Sequence, residues 1–304
     1  MKKLSVVNIS KDPFWKLPRH MSQALIERYS NKLDIHFIDE TSGMRESLKD
    51  SHFVVGMPFS KSALKKNQVL ERVHFWTAQV PLSWQDSANI PVSNSIGVNS
   101  DSVSEHGLFL CLKALRGEVS NKEFRKDGFA IAQSPKNLSC GIMGFGNIGE
   151  LLLKSVSPLF GKKNILSRSK KSNNNIDNFF LSEQLGEFSK LNDYIFLTMP
   201  LTEKTRHSLD RESFFSHLKN NVTIINLSRA EVFKEDDLIE FFKDNVSARY
   251  LTDVTTPEPY PENGVLREMD NVFITPHIAG RRDDIWELLF ERTIQEMDKW
   301  ISNE

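Results

Sequence analysis

Cys140-Gly141-Ile142-Met143-Gly144-Phe145-Gly146-Asn147-Ile148-Gly149 decides the fold. An apolar run that enters G-x-G-x-x-G and leaves as a helix makes a dinucleotide-binding turn. The first glycine, Gly144, permits the tight turn. Gly146 lets backbone approach a pyrophosphate, and Gly149 lets the helix close on the strand. The x positions Phe145, Asn147 and Ile148 complete the motif, and the helix N-terminus offers N–H groups and a positive dipole end to phosphates. A glycine-rich surface turn is the plain alternative. It loses here because Leu151, Leu152, Leu153 and Val156 continue as an apolar helical stripe.

Where a second strand would read the ribose, NAD-specific folds carry an Asp or Glu. This chain has Asn164-Ile165-Leu166 and then Ser167-Arg168-Ser169-Lys170-Lys171, with no carboxylate at the tip. Guanidinium grips phosphate in a bidentate fork, so the cluster suits a 2′-phosphate. The expected cofactor is NADP(H) in preference to NAD(H). A charge run is ordinarily a solvated loop, but this one falls at the ribose-reading position.

Working outward, 304 residues suffice for two domains with separate cores. Lys and Arg number 39 against 40 Asp and Glu, a formal charge of −1. A nucleic-acid partner is not expected, since it would leave a basic footprint. The two cysteines, Cys111 and Cys140, sit in apolar segments without metal spacing. They read as buried reduced thiols, which suits the cytoplasm, and no metal site is expected. The apolar run 4–9 is too short for a signal-peptide core, and no stretch is long enough to span a membrane.

Short apolar runs at 6–9, 35–38, 53–55 and 73–76 alternate with polar, helix-compatible stretches, as in a small α/β domain. A helix is expected over 101–115, capped by Asp101 or Ser102 with Glu105 in its first turn. Strands at 140–143, 164–166, 194–198, 222–226, 250–254 and 272–274 make a doubly wound parallel sheet. An amphipathic helix over 284–301 carries Ile285, Leu288, Leu289, Met297 and Trp300 on one face. The fold class is therefore α/β, with a doubly wound Rossmann cofactor domain at 101–280 inserted in a smaller flavodoxin-like substrate domain at 1–100 and 281–304. The Ser-, Lys- and Asn-rich 169–175 reads as a loop.

Ligands of open α/β sheets bind at the carboxyl ends of strands. There the chain places Arg229, in Leu227-Ser228-Arg229-Ala230. Next come Glu258, in Asp253-Val254-Thr255-Thr256-Pro257-Glu258-Pro259, and His277, in Thr275-Pro276-His277-Ile278-Ala279-Gly280. Singly these are a surface charge, a turn residue and a structural histidine. Three separate strand ends can bring them to one crevice.

These motifs, together with Pro200-Leu201-Thr202-Glu203-Lys204-Thr205-Arg206 and Val103-Ser104-Glu105-His106, resemble the D-isomer-specific 2-hydroxyacid dehydrogenases. The specific motifs cover about 94–280. The Ser-Arg-Ser ending is similar to the NADPH-using glyoxylate/hydroxypyruvate reductases. The resemblance implies that Arg229 holds the substrate carboxylate and polarises the 2-oxo group, and that His277 is the acid. Glu258 would hydrogen-bond His277 and favour its protonated form. It also implies a nicotinamide contact at Asp253, an adenosine contact at Pro200 and Thr205, a small 2-oxo or 2-hydroxy acid as partner, and a homodimer. Another branch of the family, the transcriptional co-repressors, implies an alternative: a dinucleotide-sensing protein with little turnover.

The pattern departs from the family at Ala78-Gln79-Val80-Pro81-Leu82-Ser83-Trp84, which replaces a glycine-containing, carboxylate-binding loop. Pro81 has no N–H, and side chains restrict φ > 0. Gln79 and Val80 are the candidate substrate contacts. Either the loop keeps its N–H geometry, or Gln79 or Ser83 holds the carboxylate, or the substrate is unusual. Phe75, Trp76 and Trp84 would suit a bulky oxo acid, or they are simply core. Ala230 replaces the glycine that commonly follows the family arginine. Arg281 and Arg282 would serve an anionic substrate or lie in solvent at a helix start.

Overall fold

The computed structural model describes residues 1–85, 90–117, 134–171 and 173–302. Of the domains expected above, 86–89, 118–133, 172 and 303–304 lie outside the described residues. The chain forms two compact units, one of Met1–Asn99 with Arg282–Glu304, the other of Ser100–Arg281.

The first unit holds β1 (Lys2–Val7), β2 (Leu33–Ile38), β3 (Phe53–Gly56), β4 (Arg72–Phe75) and β5 (Val92–Asn94). They form one parallel sheet in the order β2-β1-β3-β4-β5, the flavodoxin-like arrangement. Side chains alternate across a strand, so Phe53 and Val55 face one core and Val54 the other. The first core is completed by the helix Ile285–Ser302, whose Ile285, Leu289, Met297 and Trp300 pack with Leu4, Val6, Phe53 and Val55. Phe59, Phe75 and Trp84 stack edge-on or tilted in the second.

Two differences from the sequence reading stand out in this unit. β1 stops at Val7, short of Ile9, because Asn8 turns the chain: its Oδ1 accepts from Leu17 N at 2.7 Å and its Nδ2 donates to Asp39 at 2.8 Å. β5 carried no expectation, since three polar-flanked residues at a sheet edge show no period.

The second unit holds β6 (Ser139–Met143), β7 (Lys162–Leu166), β8 (Asn178–Phe180), β9 (Tyr194–Leu197), β10 (Thr223–Asn226), β11 (Arg249–Thr252) and β12 (Val272–Ile274). All are parallel, in the order β12-β11-β10-β9-β6-β7-β8. The chain runs outward from β6 to β8, then returns to β9 on the other side of β6. The direction of winding therefore reverses between β6 and β9, where open α/β sheets bind ligands. Ile142, Ile165, Phe196, Ile225 and Leu251 make the sheet side of the core. The helices Ser100–Arg116 and Asn147–Val156 cover it with Val103, Leu110, Leu152, Leu153 and Val156. Each fully buried Leu or Val stabilises the fold by about 1.5–3 kcal/mol.

The helix expected over 101–115 starts at Ser100, so Asp101 and Ser102 lie inside its first turn. Ser102 does not cap it; its hydroxyl donates to the Ala279 carbonyl at 2.6 Å. β11 ends at Thr252 rather than at residue 254 because the Thr252 side chain bonds the Val254 N–H and closes a turn. Cys111 and Cys140 are free and buried, and burial pushes the Cys111 thiol up to about 12 and Cys140 higher. Among the described residues, no helix is long and apolar enough to cross a membrane.

Candidate active site

β6 delivers the chain to Gly144, whose φ of 96° only glycine adopts easily. A Cβ there would stand 2.6 Å from Met199 N, and one on Gly149 would stand 2.3 Å from Gly144 O. Gly146 differs: a Cβ on it would meet nothing within 4 Å. The outer two glycines are thus demanded by the protein's own packing. The middle one leaves open room at the start of the helix Asn147–Val156, where N–H groups lack intrahelical partners. Phe145 is buried and Asn147 exposed, while Ile148 packs against the core. This cradle fits a pyrophosphate.

Ser167 directly follows β7 with its N–H on Phe180 O at 3.1 Å, and Arg168, Ser169 and Lys170 stand exposed beyond it. Lys171 folds back to pair with Glu150 in the first helical turn. After β9, Thr198 Oγ1 donates to Gly144 O at 2.7 Å, and Thr205 Oγ1 donates to Pro200 O at 2.7 Å. Thr205 therefore braces the loop on which Pro200 is exposed.

The other strand ends carry the three chemical groups. Asn226 is fully buried; its Oδ1 accepts from Ser228 N at 2.9 Å and Ser228 Oγ at 2.8 Å, and its Nδ2 donates to Arg229 O at 3.2 Å. This side-chain turn presents Arg229 at the end of β10. Burial lowers the Arg229 pKa from its ordinary value, and the charges of Glu258 and Glu231 work against that fall.

Beyond β11, Glu258 lies between prolines, each preceded by a cis peptide bond. Its Oε1 accepts from Thr255 N at 3.2 Å and its Oε2 from His277 Nδ1 at 2.7 Å. Burial alone would raise the Glu258 carboxyl. The His277 hydrogen bond and charge, the Thr255 N–H and Arg229 outweigh it and hold the group below the ordinary carboxylate value. His277 sits past β12 with φ 53°, in the left-handed region that non-glycine residues rarely occupy.

Asp253 holds that turn from beneath. It is 2% exposed, and its carboxylate accepts from Thr275 Oγ1 at 2.6 Å, Ile278 N at 2.9 Å and Ala279 N at 2.8 Å. Glu258 and His277 are thus in contact, and Arg229 lies within the reach of the Glu258 charge. Residues 167–170 stand apart, on the β7 side of the sheet. Gln79 and Val80 belong to the other unit.

In that unit, Thr77 Oγ1 donates to the Gln79 carbonyl at 2.8 Å and Asn94 Nδ2 to the Ala78 carbonyl at 3.1 Å. Phe75, Trp76 and Trp84 are each 4% exposed or less. They are core residues. Arg282 makes a two-pronged pair with Asp284, both contacts 2.7 Å.

Sequence reasoning missed Asn226, Thr198 and Thr275. Only Asn226 carries a local signal, the Asn-x-Ser spacing of a side-chain turn. Among the described residues, no group of three His, Cys, Asp or Glu could hold a metal.

Comparison with known proteins identifies the family. Residues 109–279 match the family model of the D-isomer specific 2-hydroxyacid dehydrogenase, NAD binding domain. The chain is 30% identical over 224 residues to the hydroxypyruvate reductase of Thermotoga maritima, covering 71% of this chain and 72% of that one. A D-lactate dehydrogenase from Aquifex aeolicus, solved with NAD and lactic acid, shares its fold at a TM-score of 0.82 and 21% identity, over 99% of this chain and 96% of the other. A D-isomer specific 2-hydroxyacid dehydrogenase from Xanthobacter autotrophicus Py2, solved with NADPH and MES, does so at 0.82 and 21%, over 100% and 96%. The chain belongs to the D-isomer specific 2-hydroxyacid dehydrogenase family, whose members are NAD(P)-dependent oxidoreductases.

Proposed function

We propose that the protein reduces a 2-oxo acid to the D-2-hydroxy acid with NADPH, as a glyoxylate/hydroxypyruvate reductase does. The observation that carries this is the Glu258–His277 pair at 2.7 Å beside the partly desolvated Arg229. A bound nicotinamide dinucleotide would supply the hydride for the 2-oxo carbon. Arg229 binds the substrate carboxylate and draws electron density onto the carbonyl oxygen. Glu258 occupies His277 Nδ1, so Nε2 is the nitrogen that gives its proton to that oxygen. Fixing acid, carboxylate clamp and carbonyl together removes much of the barrier before chemistry begins.

In this reading the unit of Ser100–Arg281 is the dinucleotide domain. Gly144, Gly146 and Gly149 receive the pyrophosphate, Ser167, Arg168, Ser169 and Lys170 receive the 2′-phosphate, and Pro200 and Thr205 border the adenosine. The first unit is the substrate domain, with Gln79 and Val80 as substrate contacts. The enzyme works as a homodimer in the cytoplasm.

Of the two fold neighbours described above, one was solved with NADPH and the other with NAD. The absence of a carboxylate at 167–171 is what favours NADPH here. A second reading, a dinucleotide sensor with little turnover, is favoured only by Pro81 and the missing glycine in 78–84. The test is oxidation of NADPH and NADH over glyoxylate, hydroxypyruvate, pyruvate and phenylpyruvate. Fast turnover of the first two with NADPH supports the reductase. A flat panel with tight NADPH binding supports the sensor.

A further inference from the structure

Asp253 has a partner on the helix Ser100–Arg116. His106 is largely buried, with a side chain 14% exposed, and its Nε2 lies 3.0 Å from Thr275 Oγ1 and 3.6 Å from Asp253 Oδ1. Thr275 is buried, and its hydroxyl gives its single proton to Asp253 Oδ1 at 2.6 Å. A hydroxyl that has spent its proton can only accept. His106 Nε2 therefore carries a hydrogen and donates to Thr275. The polarity of the chain is fixed throughout: His106 Nε2–H to Thr275 O–H to the Asp253 carboxylate, which also receives the Ile278 and Ala279 amides.

Those two amides directly follow His277, whose left-handed conformation, φ 53°, persists only where the surroundings hold it. Burial depresses the His106 pKa while the Asp253 charge opposes it, and the net shift is downward.

We infer that His106 is a positioning residue for the reduction: acting through Thr275, it locks the Asp253 carboxylate onto the 278 and 279 amides and so aims the His277 imidazole. This rests on the assignment of His277 as the acid. His106 touches no reacting atom in this scheme. A Gln places its side-chain Nε2 donor as many bonds from the backbone as His Nε2, whereas Phe keeps the ring and removes the donor.

The experiment compares His106→Phe, Thr275→Val and His106→Gln by steady-state kinetics and by hydrogen exchange of the free protein, with His277→Ala alongside. His106→Phe and Thr275→Val are expected to lower kcat on the order of tenfold, with KM for the oxo acid moving less than threefold. In both, the Ile278 and Ala279 amides exchange about tenfold faster while the thermal midpoint stays near wild type. His106→Gln restores rate and protection.

Wild-type kcat and wild-type exchange in His106→Phe and Thr275→Val, with His277→Ala inactive, would overturn the positioning role and leave the acid assignment standing. Full turnover in His277→Ala would instead overturn the acid assignment and the positioning role together. If His106→Phe melts early, Thr275→Val decides, because it removes one hydroxyl at nearly constant volume.

Discussion

Glu258 and His277 are nineteen positions apart in sequence, yet Glu258 Oε2 and His277 Nδ1 meet at 2.7 Å. They meet because β11 and β12 are parallel neighbours, so the loops that follow them leave the same edge of the sheet. A carboxylate can only accept, which makes Nδ1 the donor and selects the tautomer of the neutral ring. Glu258→Gln keeps the shape and removes the charge. Turnover is expected to fall ten- to a hundredfold while NADPH affinity, read by fluorescence titration, stays within threefold. A variant with wild-type kcat would show that the pair is not used in catalysis.

In the proposed function the basic loop past β7 is what distinguishes the two cofactors. Arg168→Ala should weaken NADPH binding about ten- to a hundredfold, the loss of one charge-assisted contact, and leave NADH nearly unchanged. Calorimetric titration with both dinucleotides reads the difference directly. Equal losses for the two would mean that Arg168 does not face the 2′-phosphate.

Gly146 and Gly149 answer to different constraints, and alanine tells them apart. A Cβ on Gly149 would press to 2.3 Å from Gly144 O, so Gly149→Ala should lower the melting temperature by several degrees. Gly146→Ala, with open space around its Cβ, should melt like the wild type but bind dinucleotide at least tenfold more weakly. The opposite pattern would remove Gly146 from the pyrophosphate cradle.

Acid stability should depend on a residue of the first unit. His74 is completely buried between the hydroxyls of Ser93 at 2.9 Å and Ser95 at 3.3 Å. Burial pushes its pKa down to about 4 from an ordinary 6.5; Glu296 opposes the shift, and Arg292 and Arg72 add to it. The unfolded chain thus takes up the proton first. The neutral ring's contribution is intact above about pH 6.5 and drains away as pH falls towards 4, by at most about 3 kcal/mol. Urea unfolding of wild type and His74→Gln at pH 7 and pH 4.5 should show a smaller acid loss in the variant. Parallel losses would exonerate His74.

The fold class was legible because two kinds of evidence coincide: the glycine turn at 144–149 and buried strands that read as short apolar runs. The three-residue edge strands β5 and β8 had no such signature. Arg229, Glu258 and His277 could be picked out by their strand-end positions and by resemblance. What surrounds them could not. His106 meets Thr275 across 169 residues, and nothing near either residue announces the other. Ser102 was misread as a cap for the same reason, since its partner Ala279 lies 177 residues away. Local patterns report helices and turns; hydrogen bonds between distant segments await the fold.

The first unit's core joins Leu4, Val6, Phe53 and Val55 to Ile285, Leu289, Met297 and Trp300, with the whole second unit translated in between. On the ribosome, strands β1 to β5 emerge without the helix that covers one of their faces. The intervening Rossmann unit, by contrast, holds all of its own sheet and can fold as soon as residue 281 clears the exit tunnel. The first unit, although most of it precedes the second in the chain, is therefore completed after it, and until then its sheet carries an uncovered apolar face.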